Sequence, residues 1–165
     1  MSKIVINGVD GNFGSLVAKY ALELMNKEDL VFTAPKEESL KEYKEQGIQT
    51  AIANFNDPEG LVKVFENADK VLLISMPFVG EKRRQAHKNA VDACVKANVK
   101  QIIYTSLVNA DDETNPSVEK KDHIYTEKYI QEVGLDYQFM RNSQYAEAMV
   151  TNYFTYAHMN APLTN

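Results

Sequence analysis

Lys3-Ile4-Val5-Ile6-Asn7-Gly8-Val9-Asp10-Gly11-Asn12-Phe13-Gly14-Ser15 is the stretch on which the architecture turns. Its opening, Lys3–Asn7, is short, rich in β-branched residues and stopped by Gly8, which reads as a buried strand. Three glycines then stand at every third position, Gly8, Gly11 and Gly14. From Ser15 to Met25, Leu16, Val17, Tyr20, Ala21 and Leu24 recur at helical spacing, which predicts an amphipathic helix. A strand, a glycine turn and a helix in that order open a βαβ unit.

Working outward, short apolar runs alternate with longer helical patterns. Leu30–Thr33, Ile48–Ala53, Val71–Ser75, Gln101–Thr105 and Asp136–Met140 read as strands. Glu37–Gln46 reads as a charged helix ended by Gly47, and Asn56-Asp57-Pro58 opens another with a capping side chain and an early proline. A long helix is expected from about Gly80 to Asn98, with Ala86, Ala90, Ala93, Cys94 and Ala97 as a small-residue face. Another is expected near Lys120–Val133, closed by Gly134, after a polar loop from Asn109 to Val118. Strands separated by helices imply crossovers and a parallel sheet. Val71–Ser75, the most apolar run, belongs at its centre. The expectation is a doubly wound α/β domain of Rossmann type over residues 1–142.

Residues 143–165 carry Tyr145, Met149, Tyr153, Phe154, Tyr156 and Met159, an aromatic- and Met-rich helix. It is expected either to pack on the sheet edge or to turn its apolar face to a partner. That partner is a second subunit, giving a homodimer through residues 143–160, or a further C-terminal segment.

Composition narrows the function. The chain has 165 residues, 44% hydrophobic and 25% charged, enough for one domain with its own core. A single cysteine, Cys94, forms no internal disulfide and fits a reducing compartment. A net charge of -5 speaks against a general nucleic-acid binder. The longest apolar stretch, Val71 to Ile74 and its flanks, is far below the ~20 residues of a membrane span, and no signal peptide is legible. A cytoplasmic protein without membrane or nucleic-acid partners is the expectation.

The glycines carry the chemistry. Gly8 permits a tight turn, Gly11 lets backbone approach a pyrophosphate, and Gly14 lets helix and sheet touch. The helix N-terminus presents free N–H groups to phosphate. A tight turn with no ligand is the competing reading. At the end of the second strand, Lys36 tips the choice from NAD(H) to NADP(H), although Glu37 and Glu38 stand beside it.

None of the nine tyrosines has a lysine four residues later, so the Tyr-x-x-x-Lys proton relay of many dehydrogenases is missing. His123 and Glu127, at i and i+4 on a helix, are candidates for proton supply; a solvated or capping histidine is the alternative. Ser106, after the fifth strand, either bonds substrate or ribose or caps the strand end. His87, His123 and His158 show no metal-ligand spacing, and no nucleophile elbow or P-loop occurs. Cys94 reads as core, and Glu81-Lys82-Arg83-Arg84 as a solvated helix start with a phosphate contact as the alternative.

Further stretches carry a family resemblance: Lys70–Ser75, His87 through Thr105-Ser106-Leu107, Asp122-His123-Ile124 through Thr126-Glu127-Lys128, and Leu135-Asp136-Tyr137 through Arg141-Asn142 and Tyr145. With the glycine loop, they resemble the NmrA-like branch of atypical short-chain dehydrogenases. The likeness points to the bacterial NAD(P)H:quinone oxidoreductases of the QorB type. It implies an NAD(P)H-dependent reductase of quinones or similar small electrophiles, or else a non-catalytic NAD(P) sensor. It also implies that Gly8–Gly14, including Asp10, Asn12 and Phe13, hold the pyrophosphate, and that Asn54 and Phe55 flank the adenine. Ser75, Met76 and Pro77 would lie along the nicotinamide half, Thr105 would also contact the cofactor, and Asn142 and Tyr145 would border the substrate. Pro35 stands where relatives often carry an arginine, and Asn54 where they carry an aspartate. Relatives also continue for roughly another hundred residues, so the substrate-binding part is expected to be largely missing.

Overall fold

The computed structural model describes residues 2–114 and 117–158. Six strands, β1 (Ile4–Asn7), β2 (Leu30–Ala34), β3 (Gln49–Ile52), β4 (Lys70–Leu73), β5 (Gln101–Leu107) and β6 (Asp136–Asn142), form one sheet in the order β3-β2-β1-β4-β5-β6. All pairs are parallel. The order is that of a doubly wound Rossmann-type domain, with β4 beside β1 at the centre.

Helices cover both faces. Α1 (Asn12–Leu24) and α2 (Lys41–Glu45) are joined to one side, and α3 (Pro58–Phe65), α4 (Glu81–Lys96) and α5 (Val118–Glu132) to the other. Neighbouring strand residues feed opposite cores. Val5, Val71 and Leu73 pack with Leu61, Phe65, Ala90, Cys94 and Ile130; Ile6 and Leu72 pack with Ala18, Leu30 and Phe32. This two-sided burial is why these strands read as unbroken apolar runs.

The structure amends several boundaries. Helix α1 begins at Asn12, inside the glycine motif, behind an extended Gly11. Its buried face is Gly14 and Ala18, flanked by Val17 and Ala21, while Leu16, Tyr20 and Leu24 point outward. Close seating of the helix on the sheet selects the small residues. The charged segment after β2 starts as a 3₁₀ turn, Glu37–Leu40, before α2. Asp57 caps α3 as expected, accepting from the Gly60 amide at 3.0 Å. β5 and β6 run two residues past their expected ends and pair through Ser106 with Arg141 and Leu107 with Asn142.

After β6, α6 (Ala146–His158) leaves Met149, Val150, Tyr153 and Phe154 exposed, so packing of this helix on the sheet edge is not what the structure shows. Met159 and the remainder of the expected 143–165 segment lie outside the described residues, as do Asn115 and Pro116 of the polar loop. No helix among the described residues is long and apolar enough to cross a membrane.

Candidate functional site

Between β1 and β4 the connections leave for opposite faces of the sheet, as they do at the switch point of doubly wound sheets. A cleft of about 540 Å³ opens at this place. Its floor is Gly8 and Asp10–Gly14. Its walls are Thr33–Pro35 after β2, Ala53–Asn56 after β3 and Ile74–Phe78 after β4, with Lys82 and Ala86 of α4, Thr105 of β5 and Tyr145 completing it.

The glycines divide the labour. Gly8 has φ +69°, a region that side chains with a Cβ avoid. The Gly11 amide donates to the Gly8 carbonyl at 3.0 Å and closes the turn. A Cβ on Gly14 would sit 1.9 Å from the Gly8 carbonyl oxygen, so only glycine lets α1 start this close to β1. The buried Val9 anchors the loop, its amide donating to the Thr33 carbonyl at 3.2 Å. No side chain caps α1 and no acidic residue stands in its first turn. The amides of Asn12, Phe13 and Gly14 therefore lack a carbonyl one turn back, and the positive end of the helix dipole faces the cleft uncompensated. A pyrophosphate suits this cradle in shape and charge.

The wall after β4 is pinned residue by residue. Where β1 and β4 separate, the Asn7 side chain bridges them: its Oδ1 accepts from the Ile74 amide at 2.6 Å, and its Nδ2 donates to the Ile74 carbonyl at 3.4 Å. The Ser75 amide donates to Thr105 Oγ1 at 2.9 Å and the Met76 amide to His87 Nε2 at 3.1 Å. Arg83 Nε donates to the Phe78 carbonyl. The Gly80 amide donates to Asp122 Oδ2 at 2.6 Å, and Arg84 holds the other oxygen of that fully buried carboxylate at 2.8 Å.

Behind this wall lies a buried polar cluster. Tyr104 Oη is 2.7 Å from His123 Nδ1, and Arg83 Nη1 is 3.5 Å from His123 Nε2. Burial first, then the neighbouring Arg83 guanidinium, push His123 down to about 4. Burial pushes His87 down to about 3, with Arg83 adding to it. Both rings are neutral at pH 7. Glu127, buried on the same helix, is held by Arg141 through both its oxygens at 3.0 and 2.7 Å.

The structure thus brings Gly8, Asp10, Gly11, Asn12, Phe13, Gly14, Asn54, Phe55, Ser75, Met76, Pro77, Thr105 and Tyr145 to one cleft. Lys36 is exposed and outside the lining, because the chain turns away at Pro35. His123 and Glu127 are neither solvated nor in the lining; α5 packs them inward against β5 and β6. Ser106 lies within β5, its Oγ buried and without a partner among the described residues. Asn142 sits at the end of β6 and reaches the cleft only through Tyr145, donating to its hydroxyl at 2.8 Å. The run Glu81–Arg84 is no simple solvated helix start: Arg83 is buried, Arg84 grips Asp122, and Lys82 lines the cleft. Among the lining residues Lys82 is the one cation. Sequence reading missed His87, Arg83 and Asp122 as wall supports. Their signal was faint: a histidine and an arginine on an otherwise small-residue helix face. Cys94 is core, its thiol pushed up by burial. Among the described residues no cluster of three or more metal-ligating side chains occurs.

Comparison with known proteins decides the family, since residues 1–164 match the NmrA-like family. The chain belongs to the NmrA-like family. Among curated relatives, it is 33% identical over 144 residues to quinone oxidoreductase 2 of Escherichia coli strain K12, covering 87% of this chain and 49% of that protein. The NADPH-dependent quinone oxidoreductase of Escherichia coli solved with NADPH is similar at a TM-score of 0.84 and 32% identity, over 94% of this chain and 53% of that one. The triphenylmethane reductase of Citrobacter sp. solved with NADP(H) is similar at a TM-score of 0.83 and 28% identity, over 89% of this chain and 51% of that one. The chain spans about half the length of these relatives.

Proposed function

We propose that the chain binds NADP(H) in the cleft and serves reduction of a quinone or a similar small electrophile. The carrying observation is the glycine cradle, in which the Gly14 position has no room for a Cβ and the first amides of α1 stand unmatched. In this reading the amides of Asn12, Phe13 and Gly14 hold the pyrophosphate, with Asp10 and Gly11 shaping the turn. Asn54 and Phe55 flank the adenine, and Ser75, Met76, Pro77 and Thr105 lie along the nicotinamide half. The complexes of the two relatives with NADPH and NADP(H) support the cofactor class. The preference for a 2′-phosphate rests on Lys82, since Lys36 is turned to solvent.

When bound, the nicotinamide supplies a hydride. The chain's residues bind and orient: the pinned wall from Ile74 to Phe78 fixes one side, and Tyr145, steadied by Asn142, borders the substrate on the other. A quinone accepting hydride becomes a hydroquinone anion, whose charge the ring delocalises, and water at the cleft mouth completes the protonation. No strong acid is needed. His123 and Glu127 then act from beneath, His123 on Tyr104 of β5 and Glu127 on Arg141 of β6.

A nucleotide sensor that binds without turnover is the second reading. The missing Tyr-x-x-x-Lys and the inward burial of His123 favour it. Mixing the purified chain with NADPH or NADH and a panel of quinones separates the two. Quinone-dependent loss of reduced nicotinamide absorbance carries the first. Tight binding with no oxidation by any acceptor carries the second, and failure to bind either nucleotide sinks both.

A further inference from the structure

The Met76 amide has a side-chain acceptor in His87 Nε2 at 3.1 Å, and that ring is completely buried. A backbone N–H always donates, so Nε2 must carry a lone pair. A neutral ring then has its proton on Nδ1, 3.0 Å from Thr126 Oγ1. The Thr126 hydroxyl must in turn send its own proton elsewhere, and it does, to the Asp122 carbonyl at 2.9 Å. The chain of donors runs one way: Met76 N–H to His87, His87 to Thr126, Thr126 to the backbone of α5. Asp122 closes it from the other side, its carboxylate taking the Gly80 amide at 2.6 Å.

We propose that His87 is a positioning residue of the cleft: fixed in its Nδ1–H form by Thr126, it holds the Met76 amide and so sets the wall Ile74–Phe78. His87 touches neither floor nor mouth; it acts through Met76, which lines the cleft. The amides of Ile74, Ser75 and Met76 are all engaged by protein acceptors from three different elements, Asn7 of β1, Thr105 of β5 and His87 of α4. Of the three acceptors only the histidine has a choice of tautomer, and Thr126 removes that choice. A ring flipped to the other tautomer would set N–H against N–H and drive the wall away.

The inference rests on the nucleotide reading for its functional consequence, but its first test does not. Nitrogen-15 spectra of the histidine rings in the labelled 165-residue chain should show Nε2 of His87 unprotonated and Nδ1 protonated. A proton on Nε2 overturns the proposal whatever the protein binds. Calorimetry with NADPH then compares the parent, His87→Phe and His87→Gln. His87→Phe keeps the bulk and loses the acceptor, and should weaken binding about tenfold, as expected when a buried N–H loses its partner. His87→Gln offers an amide oxygen to the same N–H and should stay within about threefold of the parent.

Equal affinity of His87→Phe and parent, or equal loss in both variants, overturns the positioning role. Should His87→Phe fail to fold, His87→Gln and the ring spectra still decide. A parent that binds no nucleotide rejects the cleft reading of the preceding subsection and leaves the tautomer measurement to judge this one.

Discussion

The rings of Phe13 and Tyr145 stack at 5.5 Å between centroids and 11° between planes. Phe13 comes from the first turn of α1, which follows the central β1, and Tyr145 from the segment after the edge strand β6, so the pair ties the β6 edge to the middle of the sheet at the cleft. Such stacks contribute about 1 kcal/mol beyond the area they bury. Tyr145→Ala should weaken NADPH binding by roughly fivefold, whereas Tyr145→Phe, which loses only the Asn142 bond, should stay within about twofold. Calorimetry on both variants checks this; equal losses would move the effect from the ring to the hydroxyl.

Gly14→Ala tests the cradle. The added Cβ meets the Gly8 carbonyl oxygen at 1.9 Å and its carbon at 2.7 Å, and both are backbone atoms that cannot swing aside. Helix α1 must lift from β1. A destabilisation of about 3 kcal/mol, with loss of nucleotide binding, is expected by urea unfolding and calorimetry. Gly11→Ala, whose Cβ would lie 3.4 Å from the same oxygen, should be far milder.

Lys82→Met tests the cation of the cleft. The Lys82 ammonium sits 4.7 Å from the centroid of the Phe78 ring. Its removal should weaken NADPH about tenfold, the order expected for one charge-assisted phosphate contact, and NADH less. Lys36→Met should change neither. An equal loss for both nucleotides would move Lys82 from the 2′-phosphate to the pyrophosphate.

Acid should unfold the chain earlier than its carboxylates alone would require. His87 and His123 are pushed down to about 3 and about 4 when folded, while in the unfolded chain they titrate near 6.5. Below pH ~6.5 the unfolded state therefore binds more protons, so stability is complete above that value and falls with pH toward the folded values. Each ring contributes a slope of about 1.4 kcal/mol per pH unit in that window. Urea titrations at intervals from pH ~7.5 to ~4.5, from above the unfolded value into the sloping range, read the slope. Replacing both histidines with glutamine should flatten it.

Arg141→Leu leaves the Glu127 carboxylate, 3% exposed, without its cation. Removing one partner of a buried pair costs about 3 kcal/mol. Double replacement, Glu127→Leu with Arg141→Leu, should recover most of that loss. Thermal unfolding of the three variants measures the coupling, and losses that simply add would show the pair to be inert.

The fold was legible because its determinants are local. Ile4–Ile6 and Val71–Leu73 are apolar without alternation for the reason the sheet makes visible, a core on each face. Gly8 and Gly14 are legible because each meets a backbone constraint that side chains with a Cβ do not suit, a positive φ at Gly8 and contact with the Gly8 carbonyl at Gly14. The burial face of α1 was misread, since Leu16, Tyr20 and Leu24 have the right spacing and the wrong size for so close a seat. Lys36 stands outside the cleft lining and Lys82 within it, because which side chain reaches a cleft depends on where a loop turns, after Pro35, and where a helix starts, at Glu81. His87, Arg83 and Asp122 stayed hidden for a similar reason. Their partners lie 5 to 42 residues away along the chain, too varied a set of separations for spacing to encode.

The bridge from Asn7 to Ile74 carries a mechanical consequence. β1 and β4 share only three register pairs, Ile4 with Lys70, Val5 with Val71 and Ile6 with Leu72, before that side chain takes over. The first three strands and the last three are consecutive lengths of polypeptide sewn together along this short seam. A dinucleotide lying over it touches both lengths at once and works as an extra stitch. Amide hydrogen exchange should then slow on both sides of the seam together when nucleotide is added, far beyond the residues in contact.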